Sequence, residues 1–455
     1  MPSTTMLARG VAFALACIAC GAVAQEAPTP LTAPTEPAAG PPATRLDYTL
    51  DLGAEHSSNI NLSETNPVSQ NLLIPRLAFT FGQAGSTIQA RAAGQVEYRD
   101  YLEGAFNNEF RGQLSGILNW VVSPQRLSFA VEDYVGLQPV NTLASNTPTN
   151  LQQTNVFGAG PTFNFRFGET VRGQAELRYI NSTASKTKQF NSQRGLLALR
   201  VIKDVSATDQ WSGNLEAEHV KFDQNNAGFN NAGPGYDRYD LYGRYLRKLV
   251  HLSIDATLGW SDFAFNQGVP DQNGLLARAQ FQWQVDARNG FNLGLARQFA
   301  DASQELMIDP SQIGTATDII AGNAQITPQV FHETRIDGGY TFQGGRLRLN
   351  IAPFYRRLNY ENVPGLNETG HGGTASVNYL LSPLWTLAFA AGEETFKYPA
   401  LDRHDETLSY GPSVSQQMSP HWGWRLNLTR NQRHSNAIGL SYTENLVFFQ
   451  LSYKR

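Results

Sequence analysis

With 455 residues, a formal charge of −4 and a mean hydropathy of −0.33, the chain offers neither the basic surface of a nucleic-acid binder nor the apolar bulk of a helical membrane bundle. Beyond its first residues no segment approaches the roughly 20 apolar residues that a membrane helix needs, so any bilayer would have to be crossed by strands. Both cysteines, Cys17 and Cys20, lie near the N-terminus, which leaves the remainder without disulfide or thiolate chemistry.

Arg9 precedes an apolar run over 11–19, and Ala22-Val23-Ala24 supplies the small residues that signal peptidase accepts. The reading is a cleaved leader over 1–24 with Gln25 as the mature start. A rival reading lipidates Cys20 after Ile18-Ala19, although Cys17 stands where a lipobox usually has Leu. Residues 25–44 place Pro28, Pro30, Pro34, Pro37, Pro41 and Pro42 among Ala and Thr, a composition that forms an extended linker rather than a core. Its predicted role is a periplasmic spacer, with capture of a periplasmic partner or peptidoglycan as the alternative. No composition shift divides 45–455, which reads as one domain.

From Leu46 a single unit repeats: an alternating strand, a long polar loop, a returning alternating strand and a short Gly or Pro turn. In the first unit Leu46, Tyr48, Leu50 and Leu52 share a face, a loop follows over 55–70, and Leu73, Leu77, Phe79 and Phe81 share the returning face. Period two is the signature of a strand with one apolar side. The pattern continues through Ile88 and Tyr98, Phe110 and Trp120, Phe129 and Val131, Phe163 and Phe165, Leu177 and Tyr179, and the less regular Leu197 and Leu199. Beyond these come Trp211 and Leu215, Tyr239 and Leu241, Leu258 and Trp260, Phe281 and Trp283, Leu293 and Leu295, and Tyr340 and Phe342. Leu349 and Ile351, Val377 and Tyr379, Leu387 and Phe389, Tyr410 and Val414, and Trp424 and Leu426 extend it. The last stretch sets Val447, Phe449, Leu451 and Tyr453 against Gln450, Ser452 and Lys454. This predicts an all-β, transmembrane, antiparallel up-and-down β-barrel of about 20 strands, with 16 or 18 as alternatives, each strand roughly ten residues long.

An even count places both termini on one side and the long loops on the other, as in barrels with short periplasmic turns and long outer loops. Ser123-Pro124, Ser382-Pro383 and Ser419-Pro420 mark three of the turns. Trp120, Trp211, Trp283, Trp385, Trp422 and Trp424 fall near the turn ends and Trp260 toward the opposite rim, as interfacial belts would have them. An unpaired terminal strand invites aggregation. The barrel is therefore predicted to close by pairing 46–53 antiparallel with the last strand, bringing Leu46 and Tyr48 beside Phe449, Leu451 and Tyr453.

Between the apolar positions stand Arg91, Glu97, Arg99, Arg111, Arg172, Glu176, Arg178, Glu216, Asp240, Arg244, Arg278, Gln280, Arg335, Asp337, Arg346, Arg348 and Arg425. A basic residue on the lipid side at midplane costs about 2–4 kcal/mol, so these are predicted to line a lumen. Asp133, Arg297 and Arg430 share the apolar parity and are expected near outer strand ends, within reach of headgroups. A barrel this wide leaves an aqueous channel. Its longest loop, 300–328, holds Leu306, Met307, Ile308, Pro310, Ile313, Ile319 and Ile320. Such a loop is too apolar to stay solvated and is predicted to fold onto or into the barrel as a constriction.

Chemistry is sparse. His404-Asp405 is the candidate acid–base pair of a barrel hydrolase, but no nucleophile accompanies it. His219, His332 and His371 read as lining or rim residues rather than metal ligands. Asp223, Asn225, Asn226, Asn230, Asn231 and Asp237 could gather calcium, yet are ordinary loop residues. No cofactor and no resident metal are expected.

Ser58-Asn59-Ile60-Asn61-Leu62-Ser63, Ala321-Gly322-Asn323, Val330-Phe331-His332-Glu333-Thr334-Arg335 and Tyr442-Thr443-Glu444-Asn445 resemble outer-membrane β-barrel porins found with exopolysaccharide or exosortase systems. The ending departs from that family, since Tyr453 is followed by Lys454-Arg455 where a terminal Phe is usual. The resemblance implies a Gram-negative outer membrane and a part in polysaccharide export. Its implied partners are membrane lipid, the barrel-insertion machinery, and polysaccharide or its export proteins. The expected function is a channel for hydrated polar solutes. A plugged structural or adhesive platform is the alternative, and a barrel hydrolase stands third.

Overall fold

The computed structural model describes residues 43–223, 235–266, 270–304, 307, 329–360 and 363–455. The leader, both cysteines and nearly all of the proline-rich linker lie outside them. The strands are β1 (Ala43–Ser57), β2 (Gln70–Ala84), β3 (Ile88–Tyr101), β4 (Glu109–Ser123), β5 (Leu127–Pro139), β6 (Leu151–Arg166), β7 (Val171–Ala184), β8 (Ser192–Asp204), β9 (Asp209–Phe222) and β10 (Tyr236–Lys248). The second half adds β11 (Leu252–Phe265), β12 (Gln272–Gln284), β13 (Asn289–Ala300), β14 (Phe331–Gln343), β15 (Leu347–Tyr360), β16 (Glu368–Ser382), β17 (Trp385–Tyr398), β18 (Arg403–Gln417), β19 (Trp422–Ser435) and β20 (Tyr442–Lys454). Each strand pairs antiparallel with the next, and β1 pairs with β20, so the 20-stranded sheet is a closed barrel without a free edge.

Alternation explains the two surfaces. Along β2, Leu72, Ile74 and Arg76 point inward and are buried, while Leu73 and Leu77 point outward and are exposed. Outward Leu241 and Leu258, each 65% exposed, sit in register on neighbouring β10 and β11 beside Trp260 and Gly243. An apolar exterior this continuous is a lipid-facing surface. Even-to-odd connections are two to four residues long and odd-to-even ones run from four to thirty, so the barrel has a turn side and a loop side. Aromatic contacts mark the turn side: Trp211 with Tyr245 (4.6 Å), Phe291 with Tyr340 (4.9 Å), Trp385 with Trp424 (5.6 Å) and Trp422 with Tyr453 (5.1 Å). At 12 to 16 residues the strands exceed the ten or so that a bilayer needs, and the surplus carries them past the membrane.

The closing seam corrects the expected register. Pairing runs from Thr49 opposite Lys454 to Ser57 opposite Leu446, and Tyr48 and Arg455 exchange backbone hydrogen bonds of 3.1 and 3.0 Å. Leu50, Leu52 and Ala54 meet Tyr453, Leu451 and Phe449, whereas Leu46 pairs only with Phe81 of β2. Stagger between first and last strands displaces the seam toward the loop side. Two short sequence motifs meet there: Ser57 Oγ donates to Glu444 (2.6 Å), Asn445 N–H donates to Ser58 Oγ (2.8 Å), and Asn59 Nδ2 donates to Thr443 O (3.0 Å) and Ser63 O (2.8 Å). Side chains thus lock the two ends of the sheet where backbone pairing stops.

Among the described residues, four prolines lie in strand interiors, Pro139 standing at the end of β5, and each of the four coincides with a gap in one flanking ladder. Pro75 falls in the β2–β3 gap, Pro161 in β6–β7, Pro353 in β14–β15 and Pro412 in β18–β19. Proline donates no backbone hydrogen bond, so the ladder opens where it sits. At two of these sites glycine precedes proline. A Cβ on Gly160 would lie 1.9 Å from Leu177 O, and one on Gly411 1.8 Å from Leu428 O.

Candidate functional site

The inward face of β7 to β12 interleaves cations and carboxylates, since every second residue of each strand points into the barrel and these positions are charged. Arg200 on β8 bridges Glu176 on β7 (2.6 Å) and Glu216 on β9 (2.9 Å), and Tyr242 of β10 donates to the same Glu216 (2.7 Å). Arg238 pairs with Asp240 (2.5 Å), and Arg244 grips Asp255 through two nitrogens. Arg278 donates to Gln298, whose amide reaches Glu333 (3.0 Å). All of these groups except Gln298 and Glu333 wall a cavity of about 120 Å³ that also touches Thr257, Gln280, Ser303, Gln304 and Met307. Both signs interleave, so the wall presents donors and acceptors to a polar solute without favouring one charge.

A segment leaving β13 covers the loop side of this cavity. Asp301 accepts from Arg194 (2.6 Å) and from the Tyr236 hydroxyl (2.5 Å), and Ser303 accepts from the other arm of Arg194 (2.8 Å). Arg194 also reaches Glu218 (3.5 Å). Asp301, Ala302 and Ser303 are each at most 2% exposed. Ala302 belongs to an apolar cluster with Tyr134, Val156, Ile180, Ala184 and Phe190, and Met307 packs against it. Residues 301–304 and 307 therefore cross from β13 to side chains of β5–β8 as a strap inside the barrel. Burial pushes the Asp301 carboxyl up, but the Arg194 guanidinium and the Tyr236 hydroxyl outweigh it and hold the group below its ordinary value.

The remaining residues named from the sequence fall as follows. Arg99 meets Glu55 (2.8 Å) and Glu97 (3.3 Å), and Arg111 meets Glu109 (2.6 Å). Arg335 meets Asp337 (2.7 Å), and Arg172 meets Asp204 (3.2 Å). Arg178 pairs with Glu176 (3.2 Å) and donates to Gly160 O and Pro161 O (both 3.0 Å), filling the ladder gap that Pro161 opens. Arg91 lies exposed on β3, Arg348 half-buried on β15 and Arg425 half-buried on β19. Arg346 sits in the turn after β14 rather than on a strand, because that strand ends at Gln343. Of the apolar loop residues, Ile308, Pro310, Ile313 and Ile320 lie outside the described residues, as do Leu306 and Ile319.

His404 and Asp405 are separated by strand alternation. His404 is exposed, while Asp405 is buried and held by Arg403 and Arg433, both at 2.7 Å, so the pair cannot share a proton. His219 bonds Asp237 (2.6 Å) at an exposed site. Among the described residues no group of three or more His, Cys, Asp or Glu could hold a metal ion; most of the Asn-rich loop lies outside them. The sequence reading passed over Arg194, Asp301 and Ser303, although the parity of Arg194 matches that of Arg200. It also passed over the inward apolar residues Leu72, Ile74 and Phe448, whose signal is a doubled apolar run breaking period two near the loop-side strand ends.

No protein-family model and no curated protein matches the chain. Solved structures similar to it include the FrpB iron transporter from Neisseria meningitidis, at 9% identity and a TM-score of 0.44, covering 90% of this chain and 82% of that one. A ferric enterobactin receptor, PfeA, from Pseudomonas aeruginosa is 10% identical with a TM-score of 0.47 and covers 90% and 81%. The siderophore receptor PirA from Pseudomonas aeruginosa is 12% identical with a TM-score of 0.41 and covers 91% and 81%. Likeness at this level leaves the solute of this barrel to be argued from its own residues.

Proposed function

We propose that the chain is an outer-membrane channel for hydrated polar solutes, narrowed on its loop side by the strap after β13 and taking part in polysaccharide export. The observation that carries this reading is the cavity wall on β7–β12, where Arg200, Arg238 and Arg244 alternate with Glu176, Glu216, Asp240 and Asp255 beneath Ser303 and Met307. Paired charges leave hydrogen-bonding capacity for hydroxyl groups without trapping ions, which suits an oligosaccharide moving past. The polysaccharide itself comes from the family resemblance of the short motifs. Incorporation of the purified barrel into planar bilayers is expected to give stable conductance steps, and removal of 300–328 to enlarge them.

A second reading, a plugged barrel that displays its loops, is favoured by the apolar clusters that fill the loop-side interior. An inserted barrel that stays silent before and after the deletion would establish it and sink the channel.

A further inference from the structure

On five adjacent strands, β12 to β16, the outward face carries basic residues and no carboxylate. Backbone register fixes the arrangement: Arg297 of β13 lies opposite Thr334 of β14, which lies opposite Arg357 of β15. The two arginines are thus two strands apart, about 10 Å between backbones, with a hydroxyl midway. Both are exposed, and among the described residues neither is in ion-pairing distance of a carboxylate; Arg357 donates only to Asn359 (3.2 Å). One step toward the turn side, the same three strands present Leu295, Ile336 and Tyr355 in register, each more than a third exposed. Two other outward basic residues of the loop-side rim have acids beside them. Lys397 shares β17 with outward Glu393, and Glu406 lies opposite Thr395 on that strand; His219 is bonded to Asp237.

We propose that this arc seats a membrane lipid whose headgroup ends in a phosphate monoester. The phosphate sits over Thr334 between Arg297 and Arg357, and the acyl chains run along Leu295, Ile336 and Tyr355. A doubly charged monoester engages both guanidiniums, whereas a zwitterionic headgroup brings a cation of its own to a face with no acid to receive it. The apolar row directly below the cations selects a lipid over free phosphate, since only a lipid covers both. The inference rests on the reading that the barrel spans a membrane.

The test is native mass spectrometry of the full barrel in mild-detergent micelles doped with equal phosphatidic acid and phosphatidylcholine of the same chain length. The wild type is expected to retain phosphatidic acid preferentially, and the double substitution Arg297→Gln, Arg357→Gln to weaken retention roughly thirtyfold while leaving bilayer conductance unchanged. Lys397→Gln should have no effect on retention. Equal retention of both lipids, or displacement of phosphatidic acid by millimolar inorganic phosphate, would overturn the proposal. An inserted barrel without lipid preference sinks this site alone, whereas a chain that never inserts into bilayers sinks the membrane reading and the site with it.

Discussion

Inside the barrel, the loop-side and turn-side halves are built from the same alternating strands yet acquire different interiors. On the loop side inward residues are packed: Val220 and Phe331 are fully buried, and Tyr236 and Phe263 are 1% exposed. On the turn side Arg91, Gln282 and Asn292 face inward and remain exposed. Loops make the difference. Each of the four main apolar clusters among the described residues is completed from a connection: Phe190 and Ala302 in one, Val330 in another, Ile60 with Phe106 in the third and Leu366 in the fourth. A ring of 20 strands is too wide for its own side chains to fill. Where long loops can fold back, apolar inward residues are covered; where turns are two to four residues long nothing returns, and the wall stays polar and wet.

The largest way to break this contrast is at the latch. Arg194→Ala leaves Asp301 buried without its cation, and such a loss costs about 3–5 kcal/mol. Denaturant titration should show that destabilisation and conductance should rise as the strap lets go; a barrel unchanged in both would mean that the strap is not held by this pair. Acid gives a milder version. A carboxyl held below its ordinary value contributes stability above its unfolded pKa and loses it as pH falls through the folded one. Conductance is therefore expected to stay level from neutral pH to about pH 5 and to rise only below the ordinary carboxylate range, where Asp301 takes up its proton. A rise that is complete by about pH 5 would assign the latch to another group. The smallest effect belongs to the turn side. Arg91→Gln removes an exposed, water-facing charge and should change stability by less than about 0.5 kcal/mol, with a modest drift of ion selectivity toward cations. A larger loss would show that the turn-side lumen is packed after all.

Much of the barrel was legible in the chain because period two survives even where composition does not. Phe79, Phe81, Val447 and Phe449 announce their face by spacing alone, and the contrast between Ser-Pro turns and long loops gives the two sides. The site was legible only in part. Glu176, Glu216, Asp240 and Arg244 could be placed on the inner face by parity, but parity does not say which strands' charges meet. That depends on register, which sets Arg200 opposite Gln174 and Asn214 and so diagonal to Glu176 on one side and Glu216 on the other. Arg178 shows the limit most clearly. Its place on the inner face follows from alternation, whereas its bonds to Gly160 O and Pro161 O follow from a ladder gap two strands' geometry creates.

The sequence by itself determined the strands, their inner and outer faces and the even ring, since alternation, turn residues and loop lengths are local properties of the chain. Tertiary structure decided the rest. It set the seam at Tyr48–Arg455 and joined Ser57, Ser58 and Asn59 to Thr443, Glu444 and Asn445. It laid 301–304 and 307 across the lumen onto Arg194 and Tyr134, and it brought Arg297 and Arg357 to either side of Thr334. Each of these joins residues distant in sequence, and only closure of the sheet, with its stagger and its register, fixes which of them come to face one another.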